Sequence, residues 1–410
     1  ESWKYCEFFD IDPEYKPQVN LELIEKDPEC WKRFYPHETF VKLLDRTVKI
    51  LESSKAESLW VEGAYGTGKS HAVLTLKKLI DVPETDVKTY FKKYPKELNE
   101  DLLNRLLKLR EDNNILTVHR YGSSDIYNDR DLFFAIQESI THALEEKYNS
   151  SDCPANLSNT SLKAAVINWL SDKHNKTYFE SIISENYYEY FNGRTVDELI
   201  DQLKTLEDKA LGSLMNKIMQ VGKERQIMVL SLSQDDLVSW IEEVIESYKF
   251  KAILFIWDEF TDYFRQNTSL TGFQKIADMN STTPFYFVLV THNVTHVFTG
   301  VNEDWKRLLG RFGGGSCNIE LPEHMAFKLM GNALKLADDP VLRDHWEKEI
   351  LPGLKQSTRK STEVICKKTG INEEDLTGIV PIHPYAALLL KYLSTAFESN
   401  QRSMFEFIKN

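Results

Sequence analysis

The eight residues Gly63-Ala64-Tyr65-Gly66-Thr67-Gly68-Lys69-Ser70 complete a G-x-x-x-x-G-K-S motif, set between an apolar run, Ser58 to Val61, and a helical pattern. Strand, glycine loop and helix in that order call for an α/β fold in which the loop closes a buried strand. The glycines are needed because such a loop curls its backbone N–H groups around phosphate oxygens, with torsions and close approaches that side chains forbid. Lys69 then reaches the β- and γ-phosphates, Ser70 offers a hydroxyl to Mg²⁺, and the helix opening at Lys69 turns its positive end to the anion. ATP and Mg²⁺ are the cofactors this pattern implies, with His71, in the same first helical turn, joining the nucleotide-binding set. A glycine turn that holds no phosphate is the weaker reading when all four fixed positions stand in context.

Length allows two or three domains around a large core, since the chain has 410 residues. A formal net charge of −13 weighs against a general nucleic-acid-binding surface, although a local basic patch can sit inside an acidic whole. Five cysteines, Cys6, Cys30, Cys153, Cys317 and Cys366, form no C-x-x-C pair, so a disulfide framework and a zinc site are not indicated and a reducing cytoplasm fits best. The longest apolar runs, 252–257 and 285–290, are too short to cross a bilayer. A chain that opens on Glu1 and stops at Asn410 beside an amphipathic stretch reads as a piece of a longer protein.

Residues 1–36 are aromatic, acidic and proline-bearing, and read as an irregular lead-in wrapping the core. An α/β core occupies 37–120 and 251–322, with a helix from Glu38 to Leu51 and parallel strands near 59–62, 115–119, 252–257, 285–290 and 317–321. Between the two halves, 121–250 carries helical periodicity at 131–146, 161–169, 195–206 and 233–248, and reads as a helical insertion lobe. Its last helix opens on Ser233 with Asp236 three residues later, a variant of the capping box. Residues 323–410 are helical in pattern and broken by prolines, which suggests a C-terminal helical lid.

The run 252–257 ends in Asp258-Glu259, at the carboxyl end of a strand, where ligands bind in open α/β sheets. Asp258 there would hold Mg²⁺ together with Ser70, and Glu259 would polarise the water that attacks the γ-phosphate. The following strand ends in Thr291-His292-Asn293, where Asn293, or failing it Thr291, would sense the γ-phosphate. His292 and His296, four apart, could share a helical face, but no acidic or cysteine partner completes a metal site.

An acid beside the strand-end aspartate resembles the additional-strand class of P-loop ATPases, and Trp305 to Phe312 leading into Ile319-Glu320-Leu321-Pro322 resembles the arginine-finger region of AAA+ ATPases. That resemblance implies a five-stranded parallel core, assembly into a homo-oligomeric ring, and insertion of Arg311, or alternatively Arg307, into a neighbour's site. The run Gly313-Gly314-Gly315 departs from the family pattern. Gln401-Arg402 resembles a lid arginine that touches the γ-phosphate, and Tyr35-Pro36-His37 sits where the family contacts adenine. The phrase 379–385 followed by 400–405 resembles the large ATPase subunits of bacterial anti-phage defence systems, of the BREX type and secondarily the RADAR ATPase. It implies ATP-driven remodelling or switching of a protein effector from the same system. A nucleotide-gated scaffold with slow hydrolysis shares every binding residue, and a nucleic-acid translocase would need basic pore loops that the acidic balance does not favour.

Overall fold

The computed structural model describes residues 4–11, 26–53, 57–63, 67–111, 114–148, 160–206, 208–227, 234–266, 270–292, 312, 317–319, 327, 330–331 and 334–396. Seven strands are present among them: β1 (Phe9–Ile11), β2 (Leu59–Glu62), β3 (Ile115–Tyr121), β4 (Ala252–Asp258), β5 (Phe285–Thr291), β6 (Cys317–Asn318) and β7 (Leu334–Leu336). β2 to β6 form one parallel sheet in the order β3-β4-β5-β2-β6. The central strands β4 and β5 are buried at every position, so each reads as a continuous apolar run up to its polar last residue rather than as an alternating one.

Alternate residues of each strand serve opposite layers. Trp60, Leu116, Val118, Ile253, Phe255, Trp257, Phe285, Phe287 and Leu289 face a core built with the helices between β3 and β5. Leu59, Val61, Ile115, Ala252, Leu254, Ile256, Tyr286, Val288 and Val290 face the helices between residues 38 and 111. Four helices cover this second face: α1 (Glu38–Ser53), α2 (Lys69–Asp81), α3 (Glu84–Lys93) and α4 (Glu100–Glu111). On the first face lie α5 (Asp129–Tyr148), four further helices between 160 and 224, and α6 (Gln234–Ser247). The buried side chains of the stretch 121–250 are therefore continuous with those of the sheet. Ser233, expected to cap α6, lies outside the described residues.

The N- and C-terminal parts meet in a way the sequence pattern does not announce. β1 pairs antiparallel with β7, Phe9 opposite Leu336. Phe8 and Phe9 pack on Trp346, at 5.6 and 4.6 Å between ring centroids. The lead-in is thus partly ordered by a two-stranded ribbon, and the region expected to be helical from 323 onwards contains a strand. Beyond it, helices 351–369, 373–377 and 384–396 gather a small core of Phe327, Met330, Ile365, Leu376 and Ile379. No helix among the described residues is long and apolar enough to cross a membrane.

Candidate nucleotide site

Parallel register brings four strand ends to one edge of the sheet: Glu62 lies opposite Thr291, and Tyr121 opposite Asp258. Two peptide bonds beyond the strands tighten this edge, since Phe260 N–H donates to Val290 O and Ile319 N–H to Glu62 O, at 2.9 and 2.7 Å. The glycine loop emerges here. A Cβ on Gly63 would stand 2.5 Å from the Ile319 carbonyl oxygen and 2.9 Å from Thr67 Oγ1, so the tight path admits glycine alone. Gly68, at φ +86°, turns the chain into α2, which begins at Lys69 as the motif requires. Ala64, Tyr65 and Gly66 lie outside the described residues.

Lys69 is 6% exposed, and its Nζ donates to Gly63 O at 3.0 Å. Burial lowers its pKa, opposed by the carboxylates of Glu259 and Asp258. Asp258 is fully buried at the end of β4. Its Oδ1 accepts the Glu259 N–H at 2.9 Å, while Oδ2 is left without a hydrogen-bond partner. Burial pushes the Asp258 carboxyl up to about 6, although the Ser70 hydroxyl lies close enough to draw it down. An orphaned, buried carboxylate oxygen beside a serine hydroxyl fits a divalent cation, and Mg²⁺ takes few protein ligands when phosphates and waters supply the rest. No group of three or more His, Cys, Asp or Glu placed for a metal exists among the described residues, so Ser70 and Asp258 are the pair that would serve.

That burial has a measurable consequence. The folded pKa of Asp258, about 6, exceeds the ordinary 3.8, so the folded state binds the extra proton between those values and stability falls as pH rises through them. The shift corresponds to roughly 3 kcal/mol. Asp258→Asn, measured without added magnesium, should therefore melt higher than the parent at pH 8, and this advantage should disappear below about pH 4. Equal melting curves at both pH values would show that the carboxylate is not held at a cost.

Glu259 stands in the left-handed region at φ 55°, unusual for a side chain of its size. Three bonds hold it there: its N–H on Asp258 Oδ1, its C=O accepting Ser123 Oγ at 3.1 Å, and the following Phe260 N–H on Val290 O. Ser123 Oγ also accepts the Tyr263 N–H at 2.8 Å. The strained peptide is thus fixed from β4, from β5 and from the turn after β3. It swings the Glu259 side chain towards His292, whose Nε2 lies 3.0 Å from Glu259 Oε2. His292 Nδ1 is 3.4 Å from Lys69 Nζ. Since an ammonium only donates, Nδ1 is the acceptor and Nε2 carries the proton given to Glu259. That hydrogen bond holds the Glu259 carboxyl below its usual range, against burial. His292 is anchored in turn by its own N–H on Thr261 Oγ1 at 2.9 Å.

His292, to which the sequence pattern assigned no role, directly follows β5 and joins Lys69 to Glu259. Thr291, the second choice as phosphate sensor, is 1% exposed and its hydroxyl accepts the Trp60 indole N–H at 3.0 Å, so it braces the sheet. Asn293, His296, Arg307, Arg311 and Arg402 lie outside the described residues.

The other flank of the loop also differs from expectation in its details. Phe34 is the aromatic that reaches the loop, with a ring carbon 3.9 Å from where a Gly68 Cβ would stand and its centroid 5.0 Å from that of His71. Tyr35, one residue on in extended backbone, points the opposite way, its hydroxyl on Glu97 and its ring against Tyr94. His37 is buried and caps α1, its Nδ1 accepting the Phe40 N–H at 3.3 Å; burial lowers its pKa to about 4. His71 Nε2 is bonded to the Cys30 carbonyl at 3.0 Å, which ties α2 to the lead-in. Alternation in a two-residue extended segment was the signal that could have separated Phe34 from Tyr35.

Comparison of the chain with protein-family models, with curated proteins and with solved structures gave no match.

Proposed function

We propose that the chain is an AAA+-like P-loop ATPase that binds ATP with Mg²⁺ and hydrolyses it. The observation that carries the reading is the convergence of Lys69, Ser70, Asp258 and Glu259 at the carboxyl ends of β2 and β4, two parallel strands that flank β5, with Asp258 Oδ2 buried and unpartnered. The strand order supports it as well: β5 stands between the phosphate-loop strand β2 and the carboxylate strand β4, the arrangement for which the additional-strand class is named.

In this reading Lys69 and the N–H groups opening α2 bind the phosphates, and Ser70 and Asp258 hold Mg²⁺, which neutralises phosphate charge when bound. Glu259 accepts a proton from the attacking water, and His292 fixes the direction of its carboxylate. His292 also touches Lys69, so the cation that binds phosphate and the base that activates water are hydrogen-bonded to one ring. The C-terminal region 323–410 acts as the lid, a role that rests on the sequence resemblance. Ring assembly, a finger from Arg311 and service to a protein effector in anti-phage defence rest on the sequence resemblance.

Complementation tests the assembled form. Arg311→Ala and Glu259→Gln protomers should each be inactive, whereas a one-to-one mixture should regain about a quarter of the parent rate, because random pairing gives that share of joints with both groups intact. Mixed assemblies that co-purify yet stay inactive would remove the finger from a subunit boundary. A parent rate far below roughly 1 s⁻¹ would favour the nucleotide-gated scaffold instead.

A further inference from the structure

β3 is the end strand of the sheet, with β4 on one side only. Asn114 O accepts the Lys251 N–H and Gly122 N–H donates to Asp258 O, both at 2.9 Å, so the even-numbered backbone groups face β4. Those of Ile115 and Thr117 therefore face outwards. Among the described residues no backbone group pairs with them; the Lys147 ammonium donates to Ile115 O at 2.5 Å and stops that part of the edge. A lysine laid over a sheet edge is a common guard against unwanted pairing, and it is removable.

The edge opens into a cleft of about 520 Å³, between the ends of α2, α4 and α5. This volume lies within the range of about 300–1,000 Å³ typical of ligand sites. Four cations line it, Lys77, Lys78, Arg110 and Lys147, against Asp81 and Glu146. Asp81 is already satisfied, by Lys77 at 2.9 Å and the Thr117 hydroxyl at 2.5 Å. What remains along the cleft is Glu146, with Lys78, Lys147 and Arg110, whose guanidinium also donates to the Val82 carbonyl, beside unpaired strand backbone.

We propose that this edge docks an extended acidic peptide, which adds to the sheet as a strand next to β3. Its N–H would replace the Lys147 ammonium on Ile115 O, and the freed ammonium would turn to a peptide carboxylate, so no hydrogen bond is lost. Successive peptide side chains face opposite layers, towards Lys78 and Arg110 on one side and Lys147 on the other, so acids are accepted on both. A free small anion would use the cations but not the backbone, and a second copy of the chain would use the backbone but not the charge.

The test measures fluorescence anisotropy of a labelled peptide that repeats Glu-Glu-Val, roughly nine residues long, so that acids fall on both of its faces. It runs on the parent and on Lys69→Ala protein, so that the phosphate loop does not capture the probe. Saturable binding by both proteins is expected, together with slowed hydrogen exchange in the β3 segment. Binding should weaken at least about tenfold for Lys147→Glu, for Lys78→Glu, and for the same peptide N-methylated at alternate residues. The same peptide with Lys in place of each Glu should not bind. The Lys78 variant keeps the test decisive should Lys147→Glu melt poorly. Equal binding of the N-methylated peptide, full displacement by inorganic pyrophosphate from the Lys69→Ala protein, self-association through the edge, or no saturable binding at all would each overturn the proposal.

Discussion

Lys69→Ala is expected to abolish ATP binding and leave the fold intact. The Lys69 side chain is buried, its ammonium set between the Gly63 carbonyl and His292 and close enough to Glu259 and Asp258 for their carboxylates to oppose the effect of burial on its pKa. Removing it takes away two charge-assisted hydrogen bonds to phosphate, about 3–6 kcal/mol together, and leaves two acids facing the incoming anion. Affinity should fall by at least a hundredfold. Alanine is a strong helix former, and α2 keeps the Gly68 turn that starts it, so the circular dichroism spectrum should match the parent's. Calorimetric titration decides the matter: a folded variant that binds ATP with unchanged affinity would remove the phosphate-loop assignment.

What could be read from the chain divides by range. The central strands β4 and β5 announce themselves locally because a strand buried on both faces reads as an apolar run, and the loop and the Asp258-Glu259 pair are contiguous motifs. Sheet order and register are long-range facts, and they are what bring Ser123, from the turn after β3, onto the Glu259 carbonyl 136 residues away. The same holds for His292, which as a letter beside Thr291 and Asn293 carries no mark of its role. It acquires one only when β5 is placed between β2 and β4, which sets its ring between Lys69 and Glu259. The β1–β7 ribbon is three residues on each side, too short for any alternation to emerge, and its pairing spans most of the chain. Phe34 and Tyr35 differ by one position, and only the extended backbone between them decides which ring meets the loop.

Glu259→Gln should retain ATP affinity while losing about 10²–10⁴ of its turnover, since an amide matches the carboxylate in shape but accepts no proton from water. Its backbone is positioned by Asp258, Ser123 and Val290, none of which touches the side chain, so the left-handed turn should persist. The Gln carbonyl oxygen can still accept from His292 Nε2 at the place now taken by Glu259 Oε2. His292→Ala, by contrast, leaves the base present and unaimed, so kcat should fall by less than for Glu259→Gln, with a smaller change in KM. The pair is best judged together, because residues acting through one group are not additive. If His292 works by orienting Glu259, adding His292→Ala to Glu259→Gln should cost little further in kcat. Fully multiplicative losses would show that His292 acts on the phosphates by way of Lys69 and independently of the base.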